Sequence, residues 1–451
     1  MKVCSLYGVG YYYIPGTDTC IKIGGYVRYE AYHNEVSGHY ADRNPAGYFT
    51  RNSQTFGQQA RFRMTADVRT QTEYGTLRSY FSFGFNFLNG AGNTENGGIQ
   101  SAIALERAFI QFAGFTFGRS DTFFGFYNGA AYGLVPLGLD GSSGPSGHNV
   151  AAYTWQFGNG LSSTISIEDS NARSKGVVDL NQNDLLALSA LNSDLKGQGV
   201  PDIVGNIRVD QAWGSAQIMG GLHKVGARYY AGATPGFPNC TGNNTTCDHP
   251  GDKWGWGVGA GLTLKMPWDA KDTLSGVIAY SKGAVGFVAY GNSASNFVHK
   301  QGVALGADPD AVFNTGGSLE LTEAWGGSLA FEHYWTPSLR TSIVGAYLNI
   351  SYSDQAKAMI AGVAGTCAAS GLTNATNCNP DYSLWRVASR TMWNPVRNLD
   401  VGVEVAYSQI DTAFGGRANV AGGNGLAAGN YAIEDQGYWS AAFRVQRNFW
   451  P

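Results

Sequence analysis

Between Gln59 and Gln71 the chain alternates without a break: Ala60, Phe62, Met64, Ala66 and Val68 fall on one face, and Arg61, Arg63, Thr65, Asp67 and Arg69 on the other. A period of two is that of an extended strand, whose successive side chains point to opposite sides. The wet face is unusually charged for a strand. After a turn at Glu73–Gly75 the pattern resumes, with Leu77, Phe81, Phe83, Phe85 and Phe87 opposite Arg78, Tyr80, Ser82 and Asn86. A long apolar face backed by a long wet face suits a barrel wall with lipid outside and water inside. A sandwich strand also alternates, so the number and connection of such strands must decide.

Strand-like segments lie near 21–32, 57–72, 76–88, 102–113, 115–120, 149–157, 160–168 and 203–211, and then near 214–224, 253–266, 273–290, 322–336, 338–352, 383–393, 398–411 and 437–449. Short connections at Ala113–Gly114, Gly158–Asn159 and Trp213–Gly214 alternate with long polar loops. This is the pattern of an outer-membrane barrel, with an even strand number that brings both termini to the short-turn end. The expected fold is therefore all-β: one 16-stranded antiparallel transmembrane β-barrel over residues 1–451, with short periplasmic turns and long extracellular loops. Trp325 and Trp335 bracket one strand and Trp385 and Trp393 another, as interfacial girdles require. Glu106 breaks the pattern by sharing a face with Ala108, Ile110 and Phe112. Either the register slips there or a neighbouring subunit covers that face.

Composition agrees with this reading and excludes others. Only 14% of the 451 residues are charged, 13% are aromatic, and glycine supplies 63 positions. No run approaches 18 apolar residues and mean hydropathy is −0.18, which argues against membrane helices but not against spanning strands. A net charge of −3 without a long basic run leaves no electrostatic footprint for nucleic acid. The six cysteines form three close pairs, Cys4 and Cys20, Cys240 and Cys247, Cys367 and Cys378. None has CxxC spacing and no histidine cluster accompanies them, so disulfides in an oxidising compartment are expected rather than a metal site. Met1–Gly10 lacks the pattern of a secretory leader, so the chain reads as a mature or trimmed form.

Three stretches carry a family resemblance. CSLYGVGYYYIPGTDTCIKIGGYVRYE (Cys4–Glu30) resembles the N-terminus of alphaproteobacterial porins of the Brucella and rhizobial group. ERAFIQFAGFTFGRSDTFF (Glu106–Phe124) is similar to the stretch that leads into their constriction loop, and WSAAFRVQRNF (Trp439–Phe449) to their last strand. The resemblance implies a homotrimeric general-diffusion porin of the outer membrane, with no cofactor. Its partners would be outer-membrane lipid and lipopolysaccharide, small hydrophilic solutes and no nucleic acid. It also implies that the third long loop, here about 120–149, folds inward and narrows the pore. One departure is that Trp450 and Pro451 follow Phe449, where the family ends on an aromatic residue.

The lumen faces of the first strands carry Lys22, Arg28, Arg61, Arg63, Arg69 and Arg78, and the inward loop carries Asp121 and Asp140. Arg28, Arg61, Arg63 and Arg78 are expected to line the constriction opposite those acids, setting a field across the pore that favours polar solutes. Structural salt bridges within the lumen are the alternative reading. An enzyme in the barrel would need a histidine beside a nucleophile, and the seven histidines are scattered. Two other functions share the fold. A substrate-selective channel would use aromatics such as Tyr26, Tyr80 and Phe123–Phe124–Tyr127 as a slide, and would show block by one solute. An adhesin or receptor would act through the loops at 169–202, 225–252, 291–321 and 411–436, and would lose binding on their deletion.

Overall fold

The computed structural model describes residues 3–35, 47–48, 55–91, 98–127, 132–134, 147–181, 185–186, 194–234, 237–241, 247–289, 294–299, 302–362, 367, 372, 375–420 and 429–449. Sixteen antiparallel strands form the wall: β1 (Cys20–Asn34), β2 (Phe56–Thr72), β3 (Gly75–Ala91), β4 (Gly98–Phe112), β5 (Phe115–Ser120), β6 (His148–Gly158), β7 (Leu161–Glu168) and β8 (Asp202–Gln211). They continue as β9 (Gly214–Val225), β10 (Lys253–Lys265), β11 (Thr273–Lys282), β12 (Glu323–Thr336), β13 (Leu339–Ser351), β14 (Tyr382–Trp393), β15 (Leu399–Asp411) and β16 (Gln436–Asn448). Each strand pairs with the next, and β1 pairs with both β2 and β16, so the sheet closes on itself. Closure leaves no unpaired wall edge, which a backbone in hydrocarbon requires.

The alternation read from the sequence sorts residues between the two sides of this wall. Val27, Phe85, Leu105, Ile218, Ile278, Leu329, Ile343 and Val403 are exposed on the outside, and Trp325, Trp335 and Trp393 lie exposed near strand ends. Glu30, Glu106, Thr164, Gln217, Arg390 and Glu404 are buried. Short turns sit where expected: Ala113 and Gly114 have φ of 49° and 88°, so the β4–β5 hairpin turns through two left-handed residues, as two-residue hairpins do.

Two local expectations are corrected. The strand expected over 273–290 stops at Lys282. Gly283 has φ 63°, and the apolar run after it turns inward as a short 3₁₀ turn at Val285–Phe287. A run without polar alternation cannot serve a half-wet wall, and Val285, Phe287 and Val288 are fully buried instead. Glu106 does not face lipid. The β3–β4 pairing shifts register between Ser82 and Phe83, pairing Ser82 with Arg107 and Phe83 with Leu105. This bulge turns Glu106 and its neighbour Arg107 inward while Leu105 and Ile110 stay outside.

Segments from the long loops fill part of the barrel. Residues 302–313 are buried without interruption. Val303, Ala304, Leu305, Ala307 and Val312 pack with Phe124, Phe287, Val204, Met219, Leu348, Ile350, Leu384 and Ile410 in one apolar cluster, and Ala311 and Phe313 join Val177, Val225 and Leu319 in a second. A second sheet is built from loop strands Gly47–Tyr48, Ala294–His299, Gly302–Ala307, Ala375–Asn377, Gly415–Val420 and Gly429–Ile433. One helix, Asp354–Ala361, follows β13 and is capped by Ser353, whose hydroxyl accepts the Ala356 N–H. Cys4–Cys20 and Cys367–Cys378 are bonded, and Cys247 is also in a disulfide; the Cys240 side chain lies outside the described residues.

Candidate functional site

One arc of the lumen, from β16 through β1 to β4, is an arginine face. Arg28 donates to Gln446 at 2.7 Å, lies 3.5 Å from Glu30 and stacks over Tyr26. Arg444 pairs with the same Glu30. Arg61 and Arg63 share Glu106, with the Arg63 Nε at 2.8 Å. Arg69 and Arg78 share Asp67 at 2.9 and 2.8 Å, and Arg78 also donates to Gln111. Six guanidinium groups thus rest on three carboxylates, a surplus of three positive charges. The side chains of Arg63, Arg69 and Arg78 are 30%, 28% and 27% exposed, whereas those of Glu30, Glu106 and Asp67 are 3%, 4% and 12% exposed. The acids fix the guanidinium planes from behind, and the cations meet the water.

The third long loop runs along the wall opposite this face and ends against its β16 edge at Leu134. Within its described part, the Asn206 amide donates to the Phe123 carbonyl and Gln217 to that of Gly125. A Cβ on Gly261 would overlap Phe126, so the glycine makes room for that ring. Tyr127 bonds Ser328 at 2.6 Å, and Tyr132 bonds Ser275 at 2.6 Å. The Ser342 hydroxyl donates to the Tyr132 carbonyl, the Leu134 N–H donates to Glu404, and Arg444 donates to the Leu134 carbonyl. These partners belong to β8, β9, β10, β12, β11, β13, β15 and β16, and strands half a turn from β1–β4 are β9–β12. Small inward residues on that half leave space for the strap.

Arg28, Arg61, Arg63 and Arg78 are thus gathered on one face, whereas Asp121 sits at the root of the loop. Its carboxylate pairs with Arg107, and its side chain is 76% exposed. Asp140 lies outside the described residues. Of the two explanations the sequence left for Glu106, the register slip is the one that occurs, and sequence reading missed Arg107 beside it as a lumen group. Two adjacent charged residues in one strand cannot both face water without a bulge, and that adjacency was the available signal.

It also missed an ionic core between wall and filling. Glu168 (β7) pairs with Arg173 at 2.7 Å, and Arg173 lies 3.4 Å from Asp202 (β8). Asp202 meets the His223 Nδ1 at 2.7 Å, and the His223 Nε2 is 3.8 Å from Asp310. Asp310 accepts the backbone N–H groups of Lys175 at 2.6 Å and Val285 at 2.9 Å, so one carboxylate joins two inserted segments beside the wall. Lys175 reaches Asp308 at 3.3 Å. Burial pushes the Asp308 carboxyl up to about 6 in spite of Lys175, and burial raises Asp310 as well. The filling packs against the wall from β7 round to β16, through residues such as Met219, Leu348, Ile410 and Tyr438.

Comparison with known proteins agrees with this architecture. The model of the porin subfamily Porin_2 matches residues 1–440. Porin Omp2b of Brucella abortus (strain 2308) is 28% identical over 218 residues, 48% of this chain and 54% of that protein. Omp2b of Brucella melitensis biotype 1 matches over the same share. The chain thus matches about half the length of these relatives. Among solved structures, the outer membrane channel DcaP of Acinetobacter baumannii superposes with a TM-score of 0.61 at 15% identity, covering 97% of this chain and 99% of that one, a likeness of fold. With an end-to-end barrel and a family match across nearly its full length, the chain belongs to this porin subfamily and is an outer-membrane barrel.

Proposed function

We propose that this barrel is a water-filled channel through which small hydrophilic solutes and ions diffuse passively across the outer membrane. The observation that carries the reading is the face of six arginines backed by buried carboxylates, set across the lumen from a strap of loop bonded to the opposite wall. Arg28, Arg61, Arg63 and Arg78 form one side of the constriction, and the loop segment through Phe126, Tyr127 and Tyr132, bonded to the opposite wall, forms the other. Apolar solutes are disfavoured because entering would displace water from charged groups and replace it with nothing. The working unit is a homotrimer, with outer-membrane lipid and lipopolysaccharide around it.

Planar-bilayer recording in a salt gradient tests this. Ohmic openings that close in three steps, with a reversal potential favouring anions, are the expected result. Absence of conductance would overturn the reading. A second reading has its own support: the buried filling at 302–313 narrows the long-loop half of the lumen. Small currents blocked by one solute would favour a substrate-selective channel.

A further inference from the structure

On the outside of the wall, across β7–β10, lies an apolar hollow of about 370 Å³. Its sides are Ile165, Ile203, Leu222, Trp256 and Val258, and its floor includes Gly205 and Gly220. Gly205 shares the outward face with the exposed Ile203 and Ile207, and Gly220 with the exposed Ile218 and Leu222.

These two glycines differ from their neighbours in what they do for the fold. Gly221 and Gly257 face inward, where an added Cβ would collide with the Phe287 ring, so packing requires them. A Cβ on Gly205 would come no closer than 3.6 Å to another atom, and one on Gly220 no closer than 3.7 Å, which is ordinary contact. Neither has a left-handed φ. Glycine weakens a strand and forgoes lipid-facing apolar area, so the barrel would be better served by a larger residue at both places. What glycine achieves there is the hollow itself.

Directly beyond the hollow, at the long-loop end, lies a basic point. Lys224 pairs in register with Trp254 and stands 5.8 Å from its ring. Lys224 and Lys196 converge on a single carboxylate, Asp252, with Lys224 at 3.3 Å. Burial works to raise Asp252, but Lys196 and then Lys224 hold it below the usual carboxylate range. Two ammonium groups on one ionised carboxylate leave one positive charge unspent, beside an indole of the aromatic girdle where headgroups lie.

We propose that the hollow seats an acyl chain of a phosphorylated glycolipid of the outer leaflet, with Lys224 and Lys196 meeting its phosphate. The proposal rests on the outer-membrane reading for its orientation, since it places the long loops outside. The hollow accounts for the chain, the lysine pair for the anion, and their order along β9 for the direction in which the lipid lies.

The test is native mass spectrometry of the purified protein with added diphosphoryl lipid A, alongside dephosphorylated lipid A and phosphatidylglycerol. Wild type is expected to retain diphosphoryl lipid A over the other two. Gly220→Leu with Gly205→Val should lower retention about tenfold, and Gly220→Ala should lower it less. Lys196→Gln with Lys224→Gln should remove the preference for the phosphorylated form. Single-channel conductance should stay unchanged in all of them, so loss of conductance in the wild type would count against the channel and not against the lipid site. Equal retention by wild type and the filled variant would overturn the proposal. So would a filled variant that keeps its lipid but changes its oligomeric state, because the hollow would then be a contact between copies of this chain.

Discussion

The Glu106 carboxylate holds two lumen arginines at once, Arg63 at 2.8 Å and Arg61 beside it, although both arginines lie on β2 and Glu106 lies two strands away on β4. The bulge makes this possible by turning the acid inward beside the intervening strand, where the Ser82 hydroxyl accepts from Arg63 and donates to Glu106. Glu106→Gln keeps the shape but removes the charge. It should shift the reversal potential toward anions, because the pore gains a net positive charge. It should also destabilise the barrel by about 3 kcal/mol, the usual scale for breaking a buried ion pair from one side. Reversal potentials and heat-induced unfolding of the folded band check both; an unchanged reversal potential would mean that the solute path avoids this face.

The far end of the strap depends on Glu404 and Arg444, which take the N–H and the carbonyl of Leu134, while Leu134 packs on Tyr32, Met392 and Ala442. Glu404 also holds Arg386 at 3.1 Å. Glu404→Ala with Arg444→Ala should free this end of the loop. Single-channel conductance is then expected to rise and open-state noise to increase. A quiet channel of wild-type conductance would show that the earlier contacts, at Tyr127 and Tyr132, suffice to hold the loop.

Most of the wall was legible because lipid and water impose opposite demands on alternate residues, and the alternation survives in strands such as β2, β3 and β15. The arginines could be placed on the lumen side for the same reason. The bulge showed only as the misplaced charge of Glu106, since skipping one residue changes no composition. The interior filling was illegible for a different reason. Gly302–Phe313 reads as a loop with two acids, and only tertiary packing makes Asp308 and Asp310 buried anchors rather than solvated side chains. The strand expected past Lys282 failed because a continuous apolar run fits a buried strand and a buried turn equally well.

Asp308 should make that filling pH-sensitive. Its carboxyl is held up to about 6 by burial, near Lys175 and Asp310, whereas an unfolded aspartate titrates near about 3.9. A raised carboxyl favours the seated state in its protonated form. The cost of charging it is therefore absent below about pH 4, grows between there and about pH 6, and is complete above. Lowering the pH from 7 to 5 should seat residues 302–313 more firmly, by about 1 kcal/mol from this group, with the rest gained only on approaching about pH 4. Amide hydrogen exchange of the segment, corrected for intrinsic rates, should slow accordingly, and Asp308→Asn should flatten the response. Equal protection at both pH values in the wild type would refute the assignment.

At the opposite end of the barrel, the Cys4–Cys20 bridge ties residues 3–13 onto the start of β1, where Tyr12 and Tyr13 pair with Ile21 and Cys20. Both cysteines and Tyr11 are buried, and Tyr7 and Tyr11 lie against the Arg69 guanidinium. Burial and the Asp67 carboxylate push the Tyr11 hydroxyl up to about 12, so it stays protonated and acts as a donor to that acid. The N-terminal segment thus covers one end of the arginine face. Closing a loop of sequence separation 16 is worth roughly 3 kcal/mol in the chain-entropy description, more than two paired residues supply alone. Cys4→Ser with Cys20→Ser should therefore release the segment while the wall stays closed through β1–β16 pairing. Chymotrypsin should then cut at Tyr7, Tyr11, Tyr12 and Tyr13, with the barrel band otherwise intact. Conductance should rise as Arg69 is uncovered, and Cys367→Ser with Cys378→Ser should leave both readouts unchanged. Resistance of the N-terminal tyrosines in the first variant would show that packing against Arg69 and Asp67, rather than the bridge, keeps the segment in place.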